Sequence, residues 1–217
     1  MDPKTRYQQE RNESKQQRLL HILTAAETVF ILKGIEKTTM LDVAKEANVG
    51  IATLFRYFPK KDKMIVAVAA KRIEPIHKAF RSIASAPGTC LEKIEQLLDF
   101  FIAQLQQPDQ ASIKFMEDFE SYAAHSPEPL ADIEIFNSLY RTISLEFQTI
   151  IEDGISDGSI RSDLPIPETL STVINVFGLF SRKLSLHNNI LTFVSDFTSD
   201  QQLAVLKRII LDYLKGK

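Results

Sequence analysis

Cysteine is almost absent: Cys90 is the one thiol in 217 residues. A lone cysteine excludes an internal disulfide framework and any multi-cysteine zinc or iron–sulfur centre. Tryptophan is missing, and there are seven glycines where ordinary usage gives about 15. So little glycine argues against a turn-rich all-β chain. No stretch approaches the roughly 18 uninterrupted apolar residues of a membrane-spanning helix. The N-terminal MDPKTRYQQERNESKQQR is charged with no apolar run behind it, so it does not read as a secretory signal. A cytoplasmic location without membrane association is the expectation. Groups for catalysis are scarce as well. His21, His77, His125 and His187 are scattered without metal-ligand spacing, and no glycine-rich phosphate loop occurs. Cys90 has no histidine beside it in sequence and reads as a small hydrophobe. Glu117, Asp118 and Glu120 read as a solvated acidic face before they read as metal ligands. No catalytic residue, metal or cofactor is therefore expected, and a small helical enzyme is the weakest reading.

What is present is ordinary in bulk and uneven in distribution. Apolar residues make up 44% and charged residues 25%, the balance of a folded globular chain. The net charge of −2 would speak against a nucleic-acid partner. Split along the chain, residues 1–72 carry +6 and residues 73–217 carry −8. Such asymmetry points toward a polyanion for the basic part. It also suggests that an acidic body holds such a complex in one orientation.

Helical spacing of apolar residues runs through almost the whole chain, and no period-two alternation is long enough for a sheet. The spacing predicts an all-α fold. Residues 1–13 are polar, and Ser14 with Gln17 resembles a cap opening a first helix that Gly34 stops. Thr39 with Asp42 opens a short helix to Ala47, and a second short helix runs through Phe58. A long helix follows, which Pro75 is expected to kink or end. The break Ala86-Pro87-Gly88-Thr89 begins a second helical region. There Pro108 ends one helix, a long helix runs from about Leu130 to Ile151, and Gly154–Pro167 is a polar loop. The last helices run from about Glu168 to Leu186 and, capped by Thr198 and Gln201, to Leu214. Gly34, Gly50, Gly154 and Gly158 all fall at expected helix ends or turns.

One segment carries chemistry. From Asp42 to Phe58 the spacing fits two short helices crossing at a tight turn. Ala44 is small where the helices touch. Asn48 stands where the turn needs a residue that tolerates positive φ. Leu54 is placed to pin the second helix to a core, and Val43, Ala47 and Val49 complete the apolar seam. The spacing alone fits a helix-turn-helix and a plain helical hairpin about equally.

The surrounding residues are more specific. Ile22-Leu23, Ala25-Ala26, Val29-Phe30, Gly34, Thr38-Thr39, Asp42-Val43-Ala44, Ala47-Asn48-Val49, Thr53-Leu54-Phe55-Arg56-Tyr57-Phe58 and Lys61-Asp62 make residues 16–76 resemble the DNA-binding domain of the TetR (tetracycline-repressor-like) family. The resemblance implies a basic arm over 1–15, expected to be disordered. It implies a three-helix DNA-binding domain over 16–76 with its helix-turn-helix at 39–58. A linking helix would join this to a larger helical effector-binding and dimerisation domain over 77–217. The implied function is a transcriptional regulator, usually a repressor, with double-stranded operator DNA and a small-molecule effector as partners. A helical adaptor binding only proteins is the alternative.

A recognition helix presents its N-terminal residues to the major groove. Here these are Gly50, Ile51, Ala52 and Thr53, small or apolar, suited to contact with thymine methyl groups. Arg56 is placed to reach guanine or a phosphate. The resemblance puts phosphate contacts at Thr39, Thr53, Tyr57 and Lys61. Thr39 is also apt because it opens a helix, where free N–H groups attract anions. Phe55 stands where the family usually has tyrosine, leaving apolar contact only. Gly50 and Lys60 likewise replace more usual polar caps. Lys4, Arg6, Arg11, Lys15 and Arg18 in the arm either track the DNA backbone or enter the minor groove, or belong to a solvated tail.

Such modules bind as symmetric dimers. Val173, Phe177 and Phe180 on one late helix and Leu203, Leu206, Ile210, Tyr213 and Leu214 on the other form either a homodimer interface or core. The middle helices are rich in aromatics. Phe101, Phe115, Phe119, Phe136 and Phe177, with Tyr122, His125 and Tyr140 as polar groups, line either an apolar effector pocket or the core. Effector binding there would lower DNA affinity by shifting the spacing of the two reading heads.

Overall fold

The computed structural model describes residues 2–105, 110–186 and 198–216. Among them every regular element is an α-helix. The helices are α1 (Pro3–Lys33), α2 (Met40–Glu46), α3 (Ile51–Tyr57), α4 (Lys61–Ala84), α5 (Cys90–Leu105), α6 (Gln110–His125), α7 (Ile133–Asp157), α8 (Ile166–Leu186) and α9 (Ser199–Leu214). The all-α expectation holds. Pro108, expected to end a helix, and His187 lie outside the described residues.

Local chemistry sets the helix ends. Asp2 is extended and Pro3 opens α1, its fixed φ suited to a first turn. At the other end Gly34 adopts φ +81° and donates its N–H to the Phe30 carbonyl. Thr39 caps α2: its hydroxyl oxygen accepts the Asp42 N–H, and the Asp42 carboxylate accepts the Thr39 N–H. Thr198 and Gln201 make the same reciprocal cap on α9. Ser14 and Gln17 cap nothing, because α1 already begins at Pro3. Residues 3–15, expected to be disordered, are helical instead. α4 runs on through Pro75 rather than ending there. Pro75 is exposed, so water can replace the hydrogen bond that the ring removes.

The chain forms two compact units. One joins everything up to Arg72 to Lys114–Asn137, and the other holds Ile73–Ile113 and the chain from Ser138 onward. This redraws the division expected at 76/77. The reason is packing: Phe115, Phe119 and Leu130 are buried in the same core as Ile22, Phe30, Val43, Leu54 and Ile65. The Phe30 ring stacks on Phe115 at 5.9 Å, and Phe119 meets Phe136 edge-on at 4.7 Å. Each such fully buried side chain stabilises the unit by about 1.5–3 kcal/mol. Glu27, also buried here, is paired with Lys71 and Arg72.

In the second unit α5, α8 and α9 pack on one another. Ile94, Leu97, Val173, Phe177, Leu203, Ile210 and Leu214 are buried there. Phe80, Phe101 and Phe177 form a ring-to-ring chain at 5.8 and 6.1 Å, and Phe147 approaches Phe80 at 6.2 Å. At the surface Lys207 of α9 is held by Glu95 at 2.8 Å and Asp99 at 2.7 Å from α5. Burial alone would lower the Lys207 pKa, but hydrogen bonds to Asp99 and Glu95 raise it above its ordinary value.

Gly154 corrects another expectation. It lies inside α7, which continues to Asp157, and not in a loop. A Cβ there would fall 2.6 Å from Ile160 Cδ1 and 2.7 Å from Cys90 Cβ, so the close approach requires glycine. The Cys90 thiol is pushed up to about 11 by burial and then by Asp157, and it stays protonated as a small packing group. Gly154→Ala is expected to destabilise the chain by about 1–3 kcal/mol through overpacking. Urea unfolding measures this, and an unchanged midpoint would show that the neighbours yield freely.

Candidate nucleic-acid interface

The turn between α2 and α3 is built as its residue types require. Asn48 takes φ +48°, and the Val49 N–H reaches back to the Ala44 carbonyl at 3.0 Å. Ala44 and Ala47 are buried, so the helices approach closely. His21 Nε2 lies 3.0 Å from the Ala47 carbonyl oxygen and ties α1 to the turn. Leu54 has no exposed surface and fixes α3 to the core, with Phe58 buried one turn later.

Anchoring on that side leaves the opposite side of α3 outward. Gly50, Ile51, Ala52, Phe55 and Arg56 are exposed, Ile51 by 38% and Phe55 by 45%. Thr53 and Tyr57 are half-buried at the flanks, and the Arg56 guanidinium sits 6.0 Å from the centre of the Tyr57 ring. The outward face of α3 is therefore mostly small and apolar with one cation. Gly50 gives the helix no side-chain cap.

Two residues that the resemblance assigns to phosphate are already engaged. The Thr39 hydroxyl donates to Asp42 at 2.7 Å within the α2 cap, although the residue remains exposed. Lys61 donates from Nζ to the Glu36 carbonyl oxygen at 3.0 Å and lies 5.9 Å from the Tyr122 ring centre. Burial moves its pKa down, against the opposing charges of Asp62 and Glu36. Tyr122 also donates its hydroxyl to Asp62 at 3.2 Å, and Lys63 pairs with Asp132 at 3.0 Å. These contacts join α6 and the α6–α7 turn to the start of α4 within the first unit.

The other expected sites divide differently. Phe115, Phe119 and Phe136 belong to the first unit, and the first two are fully covered core residues. Tyr122 is bonded to Asp62, and His125 is exposed with Nδ1 2.7 Å from the Ser121 carbonyl oxygen. Phe101, Tyr140 and Phe177 belong to the second unit, where Tyr140 is 39% exposed. Five of the eight residues thus lie in the first unit and three in the second. His77, one of the four scattered histidines of the sequence, has a partner in the fold. It pairs with Glu146 at 3.4 Å, with Arg81 3.5 Å from the same oxygen. Its only sequence signal was its place on the helix of Phe80.

Among the expected interface residues, Leu203, Leu214, Phe177, Val173 and Ile210 face inward and are buried. Leu206 and Phe180 are half-buried, and Tyr213 is 48% exposed. The outward apolar residues are others: Val176, Leu179, Val205 and Ile209, each 44–59% exposed. Val176, Val205 and Ile209 line open apolar grooves along α8 and α9 with Phe180, Leu206 and Tyr213. Among the described residues no group of three or more His, Cys, Asp or Glu is placed to hold a metal ion. None of the described helices is long and apolar enough to cross a membrane.

Residues 22–68 match the family described as bacterial regulatory proteins, tetR family. Over that segment the chain matches the tetR family. It is a DNA-binding transcriptional regulator, as its relatives are named regulators and not enzymes. It is 22% identical over 152 residues to the HTH-type transcriptional repressor KstR2 of Rhodococcus jostii, covering 70% of this chain and 72% of that protein. It is 26% identical to the HTH-type regulator YhgD of Bacillus subtilis over 64% of this chain and 70% of that one. The fold matches that of the ketosteroid transcriptional regulator KstR2 of Mycobacterium tuberculosis with TM-score 0.61 and 18% identity, covering 90% of this chain and 94% of that one. It also matches FadR of Bacillus subtilis, solved with stearoyl-CoA, with TM-score 0.70 and 12% identity, covering 90% and 99%.

The α2 cap makes a pH prediction. Hydrogen bonds from Lys33 and then Thr39 hold the Asp42 carboxyl far below its ordinary 3.8. A carboxylate with a depressed folded pKa adds stability above the unfolded value and loses it as pH falls toward the folded one. Asp42→Ala is therefore expected to melt at a lower temperature than the unaltered chain at pH 7. The gap should close as pH drops below 3.8, and a gap constant with pH would remove the charge from the explanation.

Proposed function

We propose that this regulator represses transcription by binding palindromic duplex DNA as a homodimer, and that a small, largely apolar effector releases it. The observation that carries the reading is α3, fastened by Leu54 and turned outward along Ile51, Ala52, Phe55 and Arg56. Gly50, Ile51, Ala52 and Phe55 would read base edges by apolar contact, thymine methyls above all. Arg56 would take guanine or phosphate, and Thr53 and Tyr57 flanking phosphates. Thr39 stands exposed at the start of α2 for a further phosphate. Lys61, bonded to the Glu36 carbonyl, would position the start of α4 and add its charge from there. Repression follows the relatives named as repressors. A cytoplasmic location, where its DNA target lies, goes with this reading.

The effector reading rests on relatives and on composition. One structural relative is described as a ketosteroid regulator and another was solved with stearoyl-CoA. The second unit holds the Phe80, Phe101, Phe147 and Phe177 rings, with the His77–Glu146 pair on the same helices as Phe80 and Phe147. An effector of this class would act only through higher affinity for a state that binds DNA less well.

Footprinting of the DNA upstream of its own and neighbouring genes, at several salt concentrations, tests the reading. The expected result is a palindromic footprint whose affinity falls linearly on a log–log salt plot. Arg56→Ala and Tyr57→Phe should weaken it, and a long-chain acyl-CoA or a ketosteroid should release it. A chain that binds no duplex at any salt would instead be a protein-binding adaptor. Release by neither compound class would sink the effector assignment alone.

The dimer has its own test. Val205→Glu with Ile209→Glu places charge on the outward face of α9, where the unaltered side chains are more than half exposed. Sedimentation at micromolar concentration should show the unaltered chain dimeric and the variant monomeric. An unaltered chain that sediments as a monomer rejects the dimer.

A further inference from the structure

The first half of α1 has no packing role. Residues 5–18 are exposed throughout, and burial of α1 begins only at Leu19 and Ile22. Its charges are nevertheless sorted by side. At 3.6 residues per turn, Gln8, Arg11, Lys15 and Arg18 lie on one stripe. That stripe continues into Ile22, Ala26 and Val29, the face by which α1 is buried. The acids lie elsewhere: Glu10 is paired with Arg6 at 3.0 Å, and Glu13 accepts from Gln9 at 3.1 Å.

The stripe thus faces the same side as the packed domain, but beyond its edge. There Gln8, Arg11, Asn12, Lys15 and Arg18 form one wall of an open groove, and Arg56 with Tyr57 of α3 forms the other. Arg18 also borders the hollow above the α2–α3 turn, with Asn48, Gly50 and Thr53. Arg11, Lys15 and Arg18 are neighbours at helical spacings of four and three, a like-charge repulsion that disfavours the helix. A polyanion laid along the stripe reverses that repulsion.

We propose that the N-terminal half of α1 is a second DNA-contacting wall, with Arg11, Lys15 and Arg18 binding phosphodiesters that flank the segment read by α3. This rests on the reading of α3 as the DNA-facing helix. Arg11 to Arg18 spans about 10 Å of helix axis, over which one strand of duplex presents about three phosphates. Arg6, counted with the arm in the sequence, lies on the other flank and takes no part.

Fluorescence anisotropy of the full chain with a 40-base-pair duplex of random sequence, over a salt series, tests this. Removing one phosphate-binding side chain should lower the slope of log affinity against log salt by about 0.9. Arg11→Ala and Lys15→Ala should each show that decrease, and the triple variant with Arg18→Ala a decrease of about 2–3. Alanine keeps α1 helical, which far-UV circular dichroism checks. Arg6→Ala, which removes one charge from the other flank, should leave the slope unchanged. A triple variant with the unaltered slope overturns the proposal, as does an Arg6→Ala decrease equal to that of Arg11→Ala. If the unaltered chain binds no duplex even at low salt, the reading of α3 falls first and this inference with it.

Discussion

A helix of seven residues does not persist in water on its own hydrogen bonds, and α3 has only seven. Its shape and direction therefore come from outside, from Leu54 and Phe58 sunk in a core that α1, α2 and α4 supply. The rest of the first unit serves that anchoring. Ala44 and Ala47 bring α2 close, Asn48 turns the chain through a left-handed residue, and His21 fastens α1 to the turn. Side chains on the covered side of α3 hold it in place, and those on the open side are free for a partner. Exposure of Ile51 and Phe55 would be a cost on an ordinary surface helix, but it would suit the proposed contact with thymine methyls.

Charge acts locally here, not as a sum. The basic N-terminal third and the acidic remainder do not coincide with the two compact units. Residues 114–137 bring six acids and one lysine into the unit of α1–α3 and reduce its net charge to +1. What survives is placement. Asp132, Asp62 and Asp42 are each occupied by Lys63, Tyr122 or Lys33, while Arg11, Lys15, Arg18 and Arg56 border open grooves. A binding field within a Debye length depends on which charges are exposed and near, not on the total.

Residues acting within one or two helical turns were legible in the sequence. The caps at Thr39 and Thr198, the stop at Gly34 and the turn at Asn48 all stand as the spacing indicates. Errors arose where periodicity gives an angle but no partner. α9 is apolar on two flanks, and Leu203, Ile210 and Leu214 cannot be told from Val205 and Ile209 by spacing alone. Packing on α5 and α8 decided that the first set is core. Gly154 looked like a helix stop because glycine usually is one, whereas its role is to admit Ile160 and Cys90. The aromatics of α6 fit a pocket lining or a core by spacing, and Phe115 and Phe119 are buried in the core of the first unit.

The sequence by itself determined the helical class and the two short helices with their left-handed turn. It also determined which residues of α3 face away from Leu54. All of these are fixed by backbone and side-chain contacts between near neighbours. Only the tertiary structure decided that Lys114–Asn137 joins the first unit, which stripe of α9 is covered, and that the basic stripe of α1 shares a groove with Arg56 and Tyr57. Each of these depends on segments far apart in the chain. Burial there is settled by which apolar surfaces meet, a choice that no local pattern encodes.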